Sequence, residues 1–144
     1  MARKLGAVKL HIAAAPDYLK RKGVPKHPDD LAGHNLLGAN YVRASGGWPF
    51  CIDGVDRVIK PVGSIQASDG EALRELALSG AGLARLADFQ VRRDFAEGRL
   101  VPVLEAFTAS DSEEVHAIFL GQGGHMPARV RVFLDFLAES CRVG

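Results

Sequence analysis

The chain has 144 residues, 47% of them apolar and 24% charged, with 18 basic side chains against 17 acidic and a formal net charge of +1. That size fits one domain or two small lobes, and the balance is that of an ordinary globular protein. A charge so near zero argues against a strong nucleic-acid binder acting through this chain alone, since that needs a clustered basic surface, and leaves a DNA-binding partner or further domain open.

Two cysteines, Cys51 and Cys141, stand in no metal or redox spacing. Reduced thiols packed as small hydrophobes in a cytoplasmic protein are expected, with a disulfide between them left open. The basic start Met1-Ala2-Arg3-Lys4 is not followed by the long apolar core of a signal peptide. No run approaches the length of a membrane span.

In chain order, VKLHIAAA (8–15) reads as a buried strand ending in small residues. Pro16 suits the first position of a short helical turn that Gly23 ends. Pro25, Pro28 and the Asp29-Asp30 pair mark a second turn that closes near Gly33. A strand is expected over 35–42 and a loop over Ala44-Ser45-Gly46-Gly47. Trp48–Ile52 and Val55–Ile65 read as two strands joined by the hairpin signal Asp53-Gly54. Pro61 demotes part of the second strand to an edge or a bend.

Ser68-Asp69-Gly70-Glu71 has the form of a capping box with Ser68 as N-cap. The helix it opens carries Ala72, Leu73, Leu76 and Ala77 at helical spacing and ends at Gly80. A short strand over 81–87 follows, then a helix capped by Asp88 and running to Phe95. Leu100–Leu104 is strand-like, Ser110–Glu114 an acidic loop, and Val115–Leu120 a strand. Gly121–His125 reads as a flexible connection. The last helix starts at Pro127 and bears the stripe Val130, Phe133, Leu134, Leu137 and Cys141. Strands alternating with helices give an α/β class with a mixed sheet.

Little here carries covalent chemistry. His11, His27, His34, His116 and His125 show no metal spacing, so no cofactor is expected and structural or surface roles are favoured. Gly80-Ala81-Gly82-Leu83-Ala84-Arg85 resembles a dinucleotide fingerprint without its third glycine. It follows a helix where a strand is required, so a helix cap plus a close backbone approach is the better reading. Gly121-Gln122-Gly123-Gly124 lacks the Lys-Ser/Thr of a phosphate loop. No serine sits in a nucleophile elbow. Asp69 and Glu71 suit the dipole of a helix start better than acid–base work. Lys20-Arg21-Lys22 and Arg92-Arg93 read as solvated faces. The small residues Ala13, Ala14 and Ala15 at a strand end, and the helix start at Ser68-Asp69-Gly70, form geometry that could take a small anion. An ordinary capped helix on its sheet remains the simpler account.

The ordered segments KLHIAAAPDYLKRKGVPKHPDDLAGHNLL, WPFCIDG, SDGEALRELALSGAGLARLADFQVRRDFAEGRLVPVL and HAIFL…MPARVRVFLDFLAE together resemble the effector-binding domain of LysR-type transcriptional regulators. The resemblance runs from about residue 2 to 139. It implies a lobe like that of type 2 periplasmic binding proteins, flanked by an incomplete second lobe. Residues 8–14 and 115–120 would be hinge strands, 15–114 lobe II, and 127–141 a lobe I helix. It implies a small-molecule effector bound in an inter-lobe cleft, self-association, no membrane contact, and DNA binding only through a helix-turn-helix domain absent from this chain. The family often has Ser before the proline where this chain has Ala15, and Asn-Asp-Gly where it has Ser68-Asp69-Gly70. The candidate ligand-binding residues are Ala14, Ala15, Ser68, Asp69, Gly70, Ala84, Arg85 and Phe89. Arg85, facing a cleft, would pair bidentately with a carboxylate; facing solvent, it would be an ordinary surface arginine. A solute-binding protein of a transporter and a small α/β enzyme stay open as alternatives. The final helix, with its apolar stripe, is expected to pack on the neighbouring strands or on a second chain.

Overall fold

A computed structural model describes residues 2–41, 46–120 and 124–141. The chain divides into two units, one of Met1–Lys9 with Ser112–Gly144 and a larger one of Leu10–Asp111. One strand, β1 (Ala2–Ala14), starts in the smaller unit and ends in the larger.

In the larger unit the sheet runs β5-β2-β6-β1-β7, formed by β2 (Leu36–Ala39), β5 (Gln66–Ala67), β6 (Leu83–Ala87) and β7 (Val101–Val103) beside the second half of β1. β2 pairs parallel with β5 and β6, while β6 and β7 pair antiparallel with β1, so the sheet is mixed as expected. The run Leu10–Ala15 is continuously apolar apart from His11 because this part of β1 is central and covered on both faces.

The strand period of two sorts these residues onto two cores. Ile12 and Ala14 pack with Tyr18, Leu31, Leu36, Trp48, Phe50 and Leu83. This is the face covered by α1 (Pro16–Lys22), a 3-10 turn at Pro28–Gly33 and the hairpin of β3 (Trp48–Ile52) and β4 (Val55–Ile59). Ala13 and Ala15 pack with Leu37, Leu73, Ala77, Ala84, Leu86 and Val91, under α2 (Gly70–Leu78) and α3 (Asp88–Ala96). The turn at Ala15–Pro16 lies wholly inside this larger unit.

Several local expectations need correction. Asp69, not Ser68, is the N-cap of α2: its Oδ1 accepts the Ala72 N–H at 2.8 Å. Glu71 therefore falls one position short of a capping box and instead accepts from Arg74 at 2.8 Å. Asp88 is the first helical residue of α3, with Ala87 at the cap position. The long strand expected to reach Ile65 stops at Ile59, two residues before Pro61, whose missing N–H cannot extend a ladder. A 3-10 turn at Glu105–Phe107, unforeseen from the sequence, follows β7. The Asp53-Gly54 turn forms as expected, both residues having positive φ.

Gly80 and Gly82 do what the bland reading of their motif requires. Gly80 ends α2 at φ +83°, and a Cβ on Gly82 would lie 2.3 Å from the Asn35 carbonyl oxygen. The backbone thus approaches closely enough for the Leu83 N–H to donate to that oxygen at 3.0 Å.

In the smaller unit, Ala2–Lys9 of β1 pairs antiparallel with β8 (Ser112–Ile118), and α4 (Ala128–Ser140) completes it. The strand begins at Ser112, inside what reads as an acidic loop. Leu134 is the buried residue of α4, with Val130 and Leu137 half-buried. Phe133 does not join them; it is exposed together with Val132 and Phe136. Asp135 pairs with Arg3. Cys51 and Cys141 are both free thiols. The connection at Gly121–Gly123 and part of the loop at Ala44–Ser45 lie outside the described residues.

Candidate functional site

The larger unit holds a cavity of about 220 Å³ at the C-terminal end of β2. Leu37, Ala39 and Tyr41 come from β2 and its exit, Gly46, Gly47 and Trp48 from the start of the hairpin, Pro61 from the segment after it, Leu73 from α2, and Arg85 from β6. Each wall follows from local sequence. Small Ala39 leaves room at the strand end. Gly47 sits where a Cβ would lie 2.8 Å from Val58 and 2.9 Å from the Ile59 carbonyl oxygen, so the hairpin closes tightly there. Trp48 begins β3 and is 4% exposed.

Arg85 answers the question the sequence left open in a third way. It borders the cavity with its charge already paired to a carboxylate of the chain. It is 4% exposed, and its Nε and Nη2 donate to Oδ2 and Oδ1 of Asp111 at 2.8 and 2.7 Å. Both side chains are buried, and the geometry is the planar fork suited to a carboxylate. The carboxylate is thus supplied by the protein itself. Asp111 is also the last residue of the unit, and its carbonyl accepts the N–H of Leu10, the first.

On the other face of the sheet from Arg85, His11 on β1 spans two acids. Its Nε2 meets Asp88 Oδ1 and its Nδ1 meets Glu105 Oε1, both at 2.8 Å, and the Phe95 ring stands edge-on to it. Burial works to raise the Asp88 carboxyl, but hydrogen bonds from Arg92 and His11 outweigh it and hold the group below the usual range. This satisfies the expectation of a structural role for His11. Among the described residues no group of His, Cys, Asp and Glu is arranged to hold a metal ion.

Of the other sequence-predicted residues, Ala14 and Ala84 are completely buried core positions, opposite Val101 and Ala13 respectively. Ala15 precedes α1 and borders a separate cavity with Arg74, Glu75 and Arg99. Asp69 spends its carboxylate on the helix cap, Ser68 before it is exposed, and Gly70 is covered by the Gln90 side chain. Phe89, on α3, is 55% exposed. Arg85 alone of the eight is on the cavity wall among the described residues. Sequence reasoning missed Tyr41, Trp48 and Asp111. The lone tryptophan of the chain was a signal for Trp48; nothing in the sequence tied Asp111 to Arg85, 26 positions away.

A mixed sheet covered by helices, with a ligand-sized cavity at a strand end, is the architecture of an α/β domain of the periplasmic-binding-protein type. Residues 1–142 match the model of the LysR substrate binding domain. The chain belongs to that family. Over 138 residues it is 38% identical to the HTH-type transcriptional regulator CrgA of Neisseria meningitidis serogroup C, covering 96% of this chain and 46% of that relative. The solved regulatory domain of CrgA matches it at a TM-score of 0.84 and 35% identity, over 100% of this chain and 69% of that one. Full-length AphB, the Vibrio cholerae virulence activator of the LTTR family, matches at 0.79 and 29%, over 96% and 47%. The chain spans about half the length of the curated relatives it matches. These relatives are transcriptional regulators, which withdraws support from the transporter alternative. No helix among the described residues is long and apolar enough to cross a membrane.

Proposed function

We propose that this chain is the effector-sensing part of a LysR-type transcriptional regulator, cytoplasmic and self-associating. In this reading it catalyses no reaction, and DNA is bound by a helix-turn-helix domain elsewhere in the regulator. The observation that carries the reading is the double position of Arg85. The same side chain borders the cavity and grips Asp111, the residue at which the chain leaves the larger unit. A ligand in the cavity changes the packing around Arg85 and so biases the exit at Asp111. Regulation then follows from unequal affinity for two states of the regulator, because a ligand shifts an equilibrium only by that difference.

A carboxylate effector, the class suggested by the resemblance and by an arginine in the site, would have to share Arg85 with Asp111. The test is a thermal-shift screen of small organic acids, aromatics and neutral metabolites. A ligand bound only by the folded chain raises Tm, and Ala39→Leu, which fills the cavity, should abolish that rise. A ligand whose effect survives in that variant would contradict the assigned site.

A further inference from the structure

We propose that the outer edge of β4 is a docking surface for a second copy of this chain, the two β4 strands pairing antiparallel with Val58 of each on the two-fold axis. This goes beyond effector sensing and does not depend on it. Asp53 and Gly54 both have positive φ, and Ile52 pairs with Val55 across them, so the hairpin closes on a two-residue turn. The pair flanking such a turn exchanges hydrogen bonds, and the pairs beyond it alternate. The backbone N–H and C=O groups of Val55, Arg57 and Ile59 therefore face β3, and those of Asp56, Val58 and Lys60 face outward. Pro49 fits this phase: it lies opposite Val58, where β3 gives its partner no donor. The same proline removes a donor from the far edge of β3, so only the β4 edge is open along its length. Among the described residues no further strand pairs with β4, and no hydrogen bond takes up the outward groups of Asp56, Val58 and Lys60. An open edge of this kind is a template for another strand.

Charge selects both the partner and the register. Asp56, Val58 and Lys60 lie on one face of β4 and are all exposed. An axis through Asp56 would set the two aspartates against each other, and an axis through Arg57 the two arginines. Like charges directly opposite destabilise a strand pair. An axis through Val58 instead sets valine against valine and places each Asp56 opposite the partner's Lys60. In this register the outward groups of Asp56, Val58 and Lys60 meet in three facing pairs, with two hydrogen bonds each. Pro61 holds Lys60 in the extended conformation that the outermost pairs need. Arg57, on the opposite face, keeps its ion pair with Asp29. One short strand per copy buries less area than a stable interface needs, so the contact by itself is weak. It gains weight where copies are already held together at an effective concentration of about 1 mM.

The test uses the 144-residue chain carrying Phe133→Glu and Phe136→Glu, which removes the exposed apolar face of α4 from the measurement. At the micromolar concentrations of size exclusion this chain is a monomer. Sedimentation equilibrium and NMR diffusion at concentrations up to about 1 mM should show it passing to dimer. Asp56→Lys or Lys60→Asp alone sets like charges opposite each other and should raise Kd about tenfold. The two substitutions together exchange the charges and should restore the original Kd. Val58→Pro, which removes an outward donor and leaves the β3 ladder intact, should abolish the dimer, with circular dichroism confirming the fold. The absence of a dimer at about 1 mM overturns the proposal, since the contact would then be too weak to form even between tethered copies. A dimer that the single charge variants leave unchanged, or that the double exchange fails to restore, places the partner on another surface and overturns it equally.

Discussion

Arg85 and Asp111 hold each other through two parallel hydrogen bonds, with both side chains almost wholly buried. The pair joins a central strand of the larger unit to its final residue. Because each charge depends on the other, removing one partner is far more damaging than removing both. Asp111→Asn should cost about 3–5 kcal/mol in urea unfolding. The double variant Arg85→Met, Asp111→Leu should recover most of that loss. Equal destabilisation by the single and double variants would mean that the pair is not buried as described.

Asp94 makes a second such centre, on α3. Its carboxylate is fully buried and accepts from Arg74 at 2.7 and 2.9 Å and from Arg99 at 3.0 Å. Hydrogen bonds from Arg74 hold its carboxyl below the usual range, outweighing burial, and Arg99 adds to them. A depressed folded value means that the stabilisation is complete above the unfolded carboxyl value of about 3.9 and is lost as pH falls through the lower folded one. The difference in urea midpoint between the wild type and Asp94→Asn should be constant from neutral pH down to about 5 and shrink below about 4. A gap that persisted unchanged at pH 3 would argue against the depressed value.

His34 carries a pH dependence in a different window. Burial pushes its imidazole below the usual histidine range, with Lys22 adding to this and Asp30 opposing it. Nδ1 lies 2.8 Å from the Tyr18 hydroxyl, which also accepts the Asn35 N–H at 3.1 Å. Accepting from Asn35 leaves the hydroxyl proton free to be donated to Nδ1, an arrangement the neutral ring permits. Its contribution is full above about pH 6.5 and fades as pH falls through the depressed folded value. NMR titration of the His34 ring should show a midpoint below that of free histidine. Tyr18→Phe should cost about 1 kcal/mol at neutral pH.

Gly82 tests the backbone approach between β6 and the start of β2. Gly82→Ala would drive a methyl group into the Asn35 carbonyl, and neither strand can retreat without breaking the Leu83–Asn35 hydrogen bond. A loss of about 1–3 kcal/mol in chemical unfolding is expected. Gly33→Ala, where a Cβ meets nothing within 4 Å, should be almost neutral.

On α4, Val132, Phe133 and Phe136 expose 68%, 58% and 58% of their surface. Three large apolar side chains on one short helix favour association. Light scattering after size exclusion should show mass rising with concentration, and Phe133→Glu with Phe136→Glu should return the chain to monomer. A monomeric wild type at high concentration would remove this helix as an association surface.

Local signals in the sequence carried much of the fold. The apolar run at Leu10–Ala15, the Asp53-Gly54 turn, the glycine closing α2 and the helical spacing of Leu73 and Ala77 are each enforced by sterics or burial within a few residues. The family is legible in the order of those segments. Boundaries were less secure. Ser68 and Asp69 are both good caps, and only the path of the chain out of β5 decides which one meets the helix. Ser112–Glu114 reads as a loop because its side chains are polar, yet pairing with Val8 and Lys9 makes it strand. The site was the least legible. Ala15 and Ser68 meet only if strand ends and helix starts converge, whereas the antiparallel pairing of β1 with β6 places Ala15 with Arg74, Glu75 and Leu78, toward the end of α2.

What the sequence determined by itself is most of the helices, turns and strand cores and the family they belong to, because period and turn chemistry act over short distances and segment order is read along the chain. What only the tertiary structure decided is the fate of charge. Asp111 lies 26 residues from Arg85, and pairing at that range depends on strand order and register, which no local pattern encodes. That contact turns a surface-like arginine into half of a buried ion pair.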